Sequence, residues 1–392
     1  MRTKRRINIE VRGVGFVNKG AELMLQAIKQ KVFKYDPEIN LAIEIPYGRG
    51  VKESNDLVKR VREEGILAKP AGRVHGINIP LLYNLLPMVI REKRGIILEK
   101  DIDVILDASG FAFGDQWGAA FAQRRLTANI ERWHNQGKKI ILLPQAFGPF
   151  NDTSVREEMS KIFRFANLIF ARDTTSYESL LKLHKEDNKI TKYPDFTNLI
   201  ECVPPKDFNS AENQVAIIPN FKMGGVDGGI EKYKELLKNC VVIIQSMNFS
   251  PFFLIHEGER DEAIANDINL MLEEGVPVIA GKNAMEIKGI IGATHATITS
   301  RFHGLVSALS QGVPCLATSW SHKYKRLLDD YEYSDGLLTD LLIDFDELKS
   351  KLESVLIPTS NFHIKEKLLS KAIIQKQLSE DMWKKTFAEL EK

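Results

Sequence analysis

The densest run of chemically able side chains is Ser300-Arg-Phe-His-Gly304. It follows the β-rich run Ala296–Thr299 and opens a helical pattern that reaches Gln311. A strand-to-helix junction of this kind presents unpaired backbone N–H groups, which favour an anion such as phosphate or carboxylate. Arg301 adds a planar guanidinium suited to either, and His303 can move a proton near neutral pH. A plainer reading pairs Arg301 with a neighbouring carboxylate and spends His303 on capping the helix. After the next strand, Pro314–Ala317, comes Ser319-Trp-Ser-His-Lys-Tyr-Lys-Arg326. Adjacent parallel strands end on one edge of a sheet, so Lys323, with His322, can approach the place that Arg301 opens. Lys325 and Arg326 read as a solvated face.

Other strand ends carry polar or small residues. In Ile169-Phe-Ala-Arg-Asp-Thr-Thr-Ser176, Asp173 is placed to cap the following helix, and Arg172 is a candidate to point into the cleft. Leu106-Asp-Ala-Ser-Gly-Phe-Ala-Phe-Gly114 and Leu143-Pro-Gln-Ala-Phe-Gly-Pro149 hold glycines that let a ligand or a facing backbone come close. The loop Gly13-Val-Gly-Phe-Val-Asn-Lys-Gly-Ala-Glu22 does the same, offers Asn18 and Glu22 as polar candidates, and is not a dinucleotide fingerprint. His256 ends another strand and divides evenly between a structural and a site role.

These positions need a scaffold. Short β-rich runs (Ile7–Val11, Leu41–Ile45, Val104–Leu106, Lys139–Leu143, Leu168–Ala171) alternate with the helical patterns Ala21–Phe33, Asn55–Glu64, Gly118–Asn135, Val155–Phe165 and Thr175–Leu183. The alternation pauses at Cys202-Val-Pro-Pro-Lys-Asp-Phe-Asn-Ser210 and resumes with Val215–Ile218, Phe252–Ile255, Pro277–Ala280 and Ala296–Thr299. Such alternation predicts α/β architecture with two doubly wound Rossmann-like domains facing a cleft. The expected bounds are 1–205 for the first domain and 206–360 for the second. A C-terminal helix, 361–392, is expected to pack back across their junction.

A chain of 392 residues is long for a single core. With 44% hydrophobic and 27% charged residues it is ordinary globular material, and its net charge of +2 gives no field for nucleic acid. No apolar run follows the basic start, and none approaches the roughly 18 residues of a membrane span. Three scattered cysteines, Cys202, Cys240 and Cys315, suit a reducing, cytoplasmic setting. One stretch breaks the rhythm: Ile77–Ile90, apolar and followed by Arg91, Lys93 and Arg94. The first reading is a buried helix. The second is a surface for a peripheral contact with membrane or with a lipid-linked acceptor.

Taken together, Asn18-Lys-Gly20, Asp107–Phe111, Gln145-Ala-Phe-Gly-Pro149, Arg172-Asp173-Thr-Thr-Ser176, Pro194-Asp195 and Ser300-Arg-Phe-His-Gly304 resemble the polysaccharide pyruvyl transferases. The resemblance runs from about Gly13 to Lys323, and Arg-x-His-Gly is its most specific piece. It implies a fold similar to the two-domain glycosyltransferases and transfer of pyruvate from phosphoenolpyruvate to a sugar as a ketal. It places phosphoenolpyruvate on Arg172, Arg301, His303, Lys323, Ser300 and Gly304. It implies as partner a glycan or lipid-linked oligosaccharide of exopolysaccharide or capsule assembly at the inner membrane face. Asn18-Lys19-Gly20-Ala21 and the glycine run interrupted by Asp107 and Ser109 depart from the family's pattern on the acceptor side.

The chemistry follows from the donor. Phosphoenolpyruvate carries two anionic groups, and protonation of its methylene carbon leaves an oxocarbenium-like centre open to a sugar hydroxyl. His303 is the expected proton donor and Arg301 the electrostatic partner. Asp107 is a further catalytic candidate, and Asn18, Glu22, Gln145 and Asp195 face the acceptor. No cofactor or metal is called for. Two readings stand beside this one. A nucleotide-sugar glycosyltransferase would need an acidic residue for ribose hydroxyls, and Glu286 is the nearest. A sugar-binding or assembly protein without activity is opposed by the full set Arg172, Arg301, His303 and Lys323.

Overall fold

A computed structural model describes residues 6–47, 51–74, 77–185, 188–226, 229–319 and 323–392. The chain divides into two compact units. One comprises Met1–Val14, Ile28–Pro194 and Met382–Lys392, and the other Gly15–Ala27 and Asp195–Asp381. The segment 195–205 therefore counts with the second unit. Its start is a 3-10 helix, Phe196–Leu199, whose Phe196, Thr197 and Asn198 are buried.

The first unit holds a parallel sheet. Its strands are β1 (Asn8–Arg12), β2 (Asn40–Pro46), β3 (Leu67–Ala71), β4 (Val104–Asp107), β5 (Lys139–Phe147), β6 (Leu168–Ala171) and β7 (Ile190–Lys192), in the order β7-β6-β5-β4-β1-β2-β3. A short strand, Phe111–Phe113, runs beside the end of β5. The second unit holds β8 (Val215–Ile218), β9 (Pro251–Leu254), β10 (Val278–Ile279), β11 (Ala296–Thr299), β12 (Cys315–Thr318) and β13 (Leu337–Leu338), ordered β10-β9-β8-β11-β12-β13. Both are Rossmann-like, with the first strand at the centre and the order reversing beside it. The apolar runs at β4, β6, β8 and β11 are buried at every position, as strands covered on both faces must be.

Several elements were not evident from the sequence. β3 carries Pro70, a residue that strands tolerate at a sheet edge, and β3 is an edge strand. β7 and β13 are three and two residues long, too short for a periodic signal. The stretch 118–135 is helical but passes through a π-turn at Gln123–Thr127.

The first reading of Ile77–Ile90 is corrected by the structure. Two six-residue helices, Ile79–Asn84 and Met88–Lys93, replace the single buried helix, and the first has no buried residue. Pro80 sits in its opening turn and Pro87 caps the second, so the run cannot continue as one helix. Ile77, Leu81, Leu82, Leu85, Val89 and Ile90 are exposed.

Helix Pro358–Glu391 is continuous over 34 residues. Its last turns count with the first unit, where Trp383 is buried and Phe387 stacks on Tyr35 with ring centres 4.0 Å apart.

Candidate active site

In doubly wound sheets a ligand crevice forms where the strand order reverses. In the second unit that is between β8 and β11, paired in register from Val215↔Ala296 to Ile218↔Thr299. The loops beyond them bring Pro219-Asn220 alongside Ser300-Arg301. Asn220 Nδ2 donates to the Ser300 carbonyl at 2.7 Å, and the Tyr324 hydroxyl donates to the same oxygen at 2.8 Å. Ser300 Oγ bonds the Tyr233 hydroxyl at 2.6 Å and Thr318 Oγ1. Ser300 is thus wholly interior and latches four elements together, rather than lying open to an anion. Gly304 also has a packing duty, since a Cβ there would meet Thr299 Oγ1 at 2.6 Å.

Arg301 caps helix Phe302–Ser310 through its backbone, with its N–H on Thr299 Oγ1 at 3.1 Å. Its guanidinium follows the plainer reading. Nη1 donates to Glu257 and Nη2 to Asp261, so one cation faces two carboxylates. Asp261 has no exposure and also accepts from Phe221 N at 3.0 Å; burial, opposed by Arg301, raises its pKa. Glu257 keeps some solvent contact, and its other oxygen accepts from Asn18 Nδ2 at 2.9 Å. Asn18 Oδ1 in turn accepts Ala21 N at 3.0 Å and caps helix Lys19–Tyr35.

One residue further on, the His303 ring lies between two partners of its own unit. Nε2 stands 3.5 Å from Asp195 Oδ2, wider than an ordinary hydrogen bond, and is otherwise unbonded among the described residues. On the other side a Cβ on Gly20 would sit 2.2 Å from Nδ1, so glycine at 20 is what leaves the ring its place. Asp195 Oδ1 is engaged by Thr197 N at 3.1 Å and Thr197 Oγ1 at 2.6 Å, which fixes the carboxylate. A histidine beside a fixed buried carboxylate is an arrangement for proton transfer. Lys323 Nζ lies 5.4 Å from the Phe302 ring, within cation–π range, at the start of helix Lys323–Asp330. His322 lies outside the described residues. His256 is buried close by. Desolvation first, then Arg301, His303 and Lys19, hold its pKa well below the usual imidazole range, so it is neutral at physiological pH. Glu22 is buried and ion-paired with Lys19 at 2.7 Å.

The reversal point of the first unit lies between β1 and β4, with Arg12↔Asp107 the last pair in register. Asp107 is fully buried. It accepts Gln145 Nε2 at 3.0 Å, Ser109 N at 3.2 Å and Ser109 Oγ at 3.0 Å, while burial pushes its pKa up. Gln145 Oε1 is buried with no hydrogen-bond partner among the described residues. Gly13, at φ 79°, lies so close to the Asp107 loop that a Cβ there would meet Ser109 Cα at 2.4 Å. Arg172 is buried beyond β6, its N–H donating to the Gln145 carbonyl at 2.9 Å, and Asp173 caps the next helix through Ser176 N at 2.7 Å.

The structure therefore joins Arg301, His303, Asp195, Asn18, Lys323 and His256 in the second unit. It places Asp107, Gln145 and Arg172 in the first. Sequence reading missed Glu257, Asp261 and the buried Lys288, whose Nζ donates to Thr197 O at 2.9 Å and Ser310 Oγ at 3.1 Å. Lys288 occupies an apolar helix, Ala284–Gly292, where a lone lysine is a signal in itself. Glu286 is spent in a capping box, accepting Asn283 N at 2.8 Å. Among the described residues no group of three or more His, Cys, Asp or Glu is placed to hold a metal ion.

The family model of the polysaccharide pyruvyl transferases matches residues 18–322. No curated protein matches the chain. Among solved structures, Anabaena HepE in complex with UDP and glucose is similar at TM-score 0.61 and 13% identity, over 98% of this chain and 100% of that one. UDP-GlcNAc 2-epimerase from Neisseria meningitidis bound to UDP-GlcNAc gives TM-score 0.60 and 10% identity, over 98% and 100%. The UDP-GlcNAc 2-epimerase of Methanocaldococcus jannaschii gives 0.53 and 12%, over 91% and 93%. At these identities the likeness is one of fold, the two-Rossmann-domain plan.

Proposed function

Since the chain belongs to the polysaccharide pyruvyl transferase family, we propose that it takes the pyruvyl group from phosphoenolpyruvate and sets it as a ketal across two hydroxyls of a glycan. The proposed acceptor is a lipid-linked polysaccharide precursor. The observation that carries the reading is His303 beside the fixed carboxylate of Asp195, at a helix N-terminus with Lys323 nearby.

In this reading the donor's anionic groups rest on the N-terminal N–H groups of helix Phe302–Ser310 and on Lys323, with Arg301 available if Glu257 yields. His303 gives its proton to the methylene carbon, and a sugar hydroxyl adds to the resulting cationic centre. The carbon–oxygen bond to phosphate then breaks, the cations stabilise the departing phosphate, and the second hydroxyl closes the ketal. Both hydroxyl protons are released; one re-protonates His303 and the other leaves on the phosphate. Asp195 holds the ring in place. Asp107, protonated more readily than usual because it is buried, and Gln145, with its buried unbonded oxygen, are proposed for the acceptor side. Asn18 and Glu22 are engaged by Glu257 and Lys19. Arg172 carries a donor-binding proposal on the family's pattern alone. The proposed setting is the cytoplasm.

Calorimetric titration with phosphoenolpyruvate tests this. The wild type is expected to bind saturably, and Lys323→Ala about tenfold more weakly. His303→Ala is expected to keep binding while losing roughly 10²–10⁴ in turnover with a glycan diol. No heat with phosphoenolpyruvate, and saturable heat with a nucleotide sugar, would overturn the reading in favour of glycosyl transfer. The capping role of Glu286 weighs against that alternative, because it leaves the ribose candidate occupied.

A further inference from the structure

We propose that residues 77–94 of the first unit form a docking surface for an anionic lipid bilayer. The proposal stands apart from the donor chemistry. Six large apolar side chains are exposed along this stretch, Leu81 and Leu82 on the first short helix, Val89 and Ile90 on the second, and Ile77 and Leu85 beside them, with Leu85 at 80% and Val89 at 62%. Proteins seldom leave so many contiguous apolar groups in water without a partner for them. Behind the helices lies an apolar cavity of about 440 Å³, lined among others by Tyr47, Val74, Ile79, Leu82, Tyr83 and Leu86. It offers a hydrocarbon chain a place to enter. Its two tyrosines, hydroxyls 3.5 Å apart, suit the boundary between apolar and polar layers.

The rim decides the partner. Lys93 and Arg94 are exposed on this stretch, against Glu92 alone among its exposed acids, and exposed Arg73 adjoins it by pairing with Asn78. Arg91 is not part of the rim, because it is buried on Asp101 at 2.6 Å and anchors the second helix. A two-fold dimer through this patch would bring two cationic rims together, whereas an anionic headgroup layer complements them. An apolar face with a basic edge is the pattern of segments that lie in a membrane interface.

Vesicle co-sedimentation of the full chain tests the proposal. Vesicles of phosphatidylcholine with phosphatidylglycerol should pellet the protein, and pure phosphatidylcholine about tenfold less. Leu81→Glu/Leu85→Glu should lose about tenfold or more in binding to the anionic vesicles, and Lys93→Glu/Arg94→Glu should lose both binding and its salt sensitivity. All four side chains are exposed, so an unchanged thermal midpoint is expected and confirms that the variants fold. Wild type left in the supernatant at low salt, or a dimer in sedimentation velocity that Leu85→Glu disperses, would overturn the proposal.

Discussion

Arg301 holds Glu257 and Asp261, and the first of these is the one that solvent reaches. In the proposed reaction a donor that needs the guanidinium displaces Glu257, whose carboxylate occupies the place proposed for the donor's own. Glu257→Gln removes that competing charge while keeping the shape. The variant should bind phosphoenolpyruvate more tightly, its KM falling by about three- to tenfold. An unchanged or raised KM in steady-state kinetics would mean that Arg301 serves only to fix the turn. Ser300-Arg-Phe-His-Gly304 was legible because a strand end followed by a helix start is a local pattern. Its pairings were not, even for Asp195, itself a candidate in the sequence, because Asp195, Glu257 and Asp261 reach it only through the fold. Nothing near 195 or 257 in the chain advertises a neighbour at 301 or 303.

At the level of elements, the alternation of apolar runs with amphipathic helices gave both sheets, and burial on both faces explains why. What it left out were pieces without period: an edge strand containing Pro70 and strands of two or three residues. It also misjudged Ile77–Ile90, since an apolar run says nothing of which face meets the core. Lys288 is an element-scale device. From helix Ala284–Gly292 it reaches the 3-10 helix that begins after Asp195 and the helix of His303. Burial lowers its pKa to about 8. The folded state therefore holds fewer protons than the unfolded chain between about pH 8 and 10.5, and stability from this group rises with pH through that window. Below about pH 8 the cost of the buried charge is fully present, on the order of 3 kcal/mol. Urea unfolding should show the rise in the wild type and a flatter profile in Lys288→Met. Equal slopes in the two proteins would show that the ammonium is not desolvated on folding.

For the molecule as a whole, the expected bounds 1–205, 206–360 and 361–392 describe a chain cut in sequence, whereas the compact units interleave. Gly15–Ala27 counts with the second unit and Met382–Lys392 with the first. The sequence hides this because each borrowed piece is a fragment of a helix that looks continuous. Ending the chain at Asp381 would remove buried Met382, Trp383 and Leu390 from the first unit. The thermal midpoint should fall by roughly 10 °C, from the few kcal/mol carried by a buried tryptophan. Calorimetry showing an unchanged midpoint would make those turns dispensable. The same interleaving sets a clock on synthesis. The first unit has all its strands once residue 192 is made, yet it waits for residues 382–392 while Asp195–Asp381 is translated. At roughly 5–20 residues per second that interval is roughly ten to forty seconds. During it the nascent first unit lacks the buried Trp383.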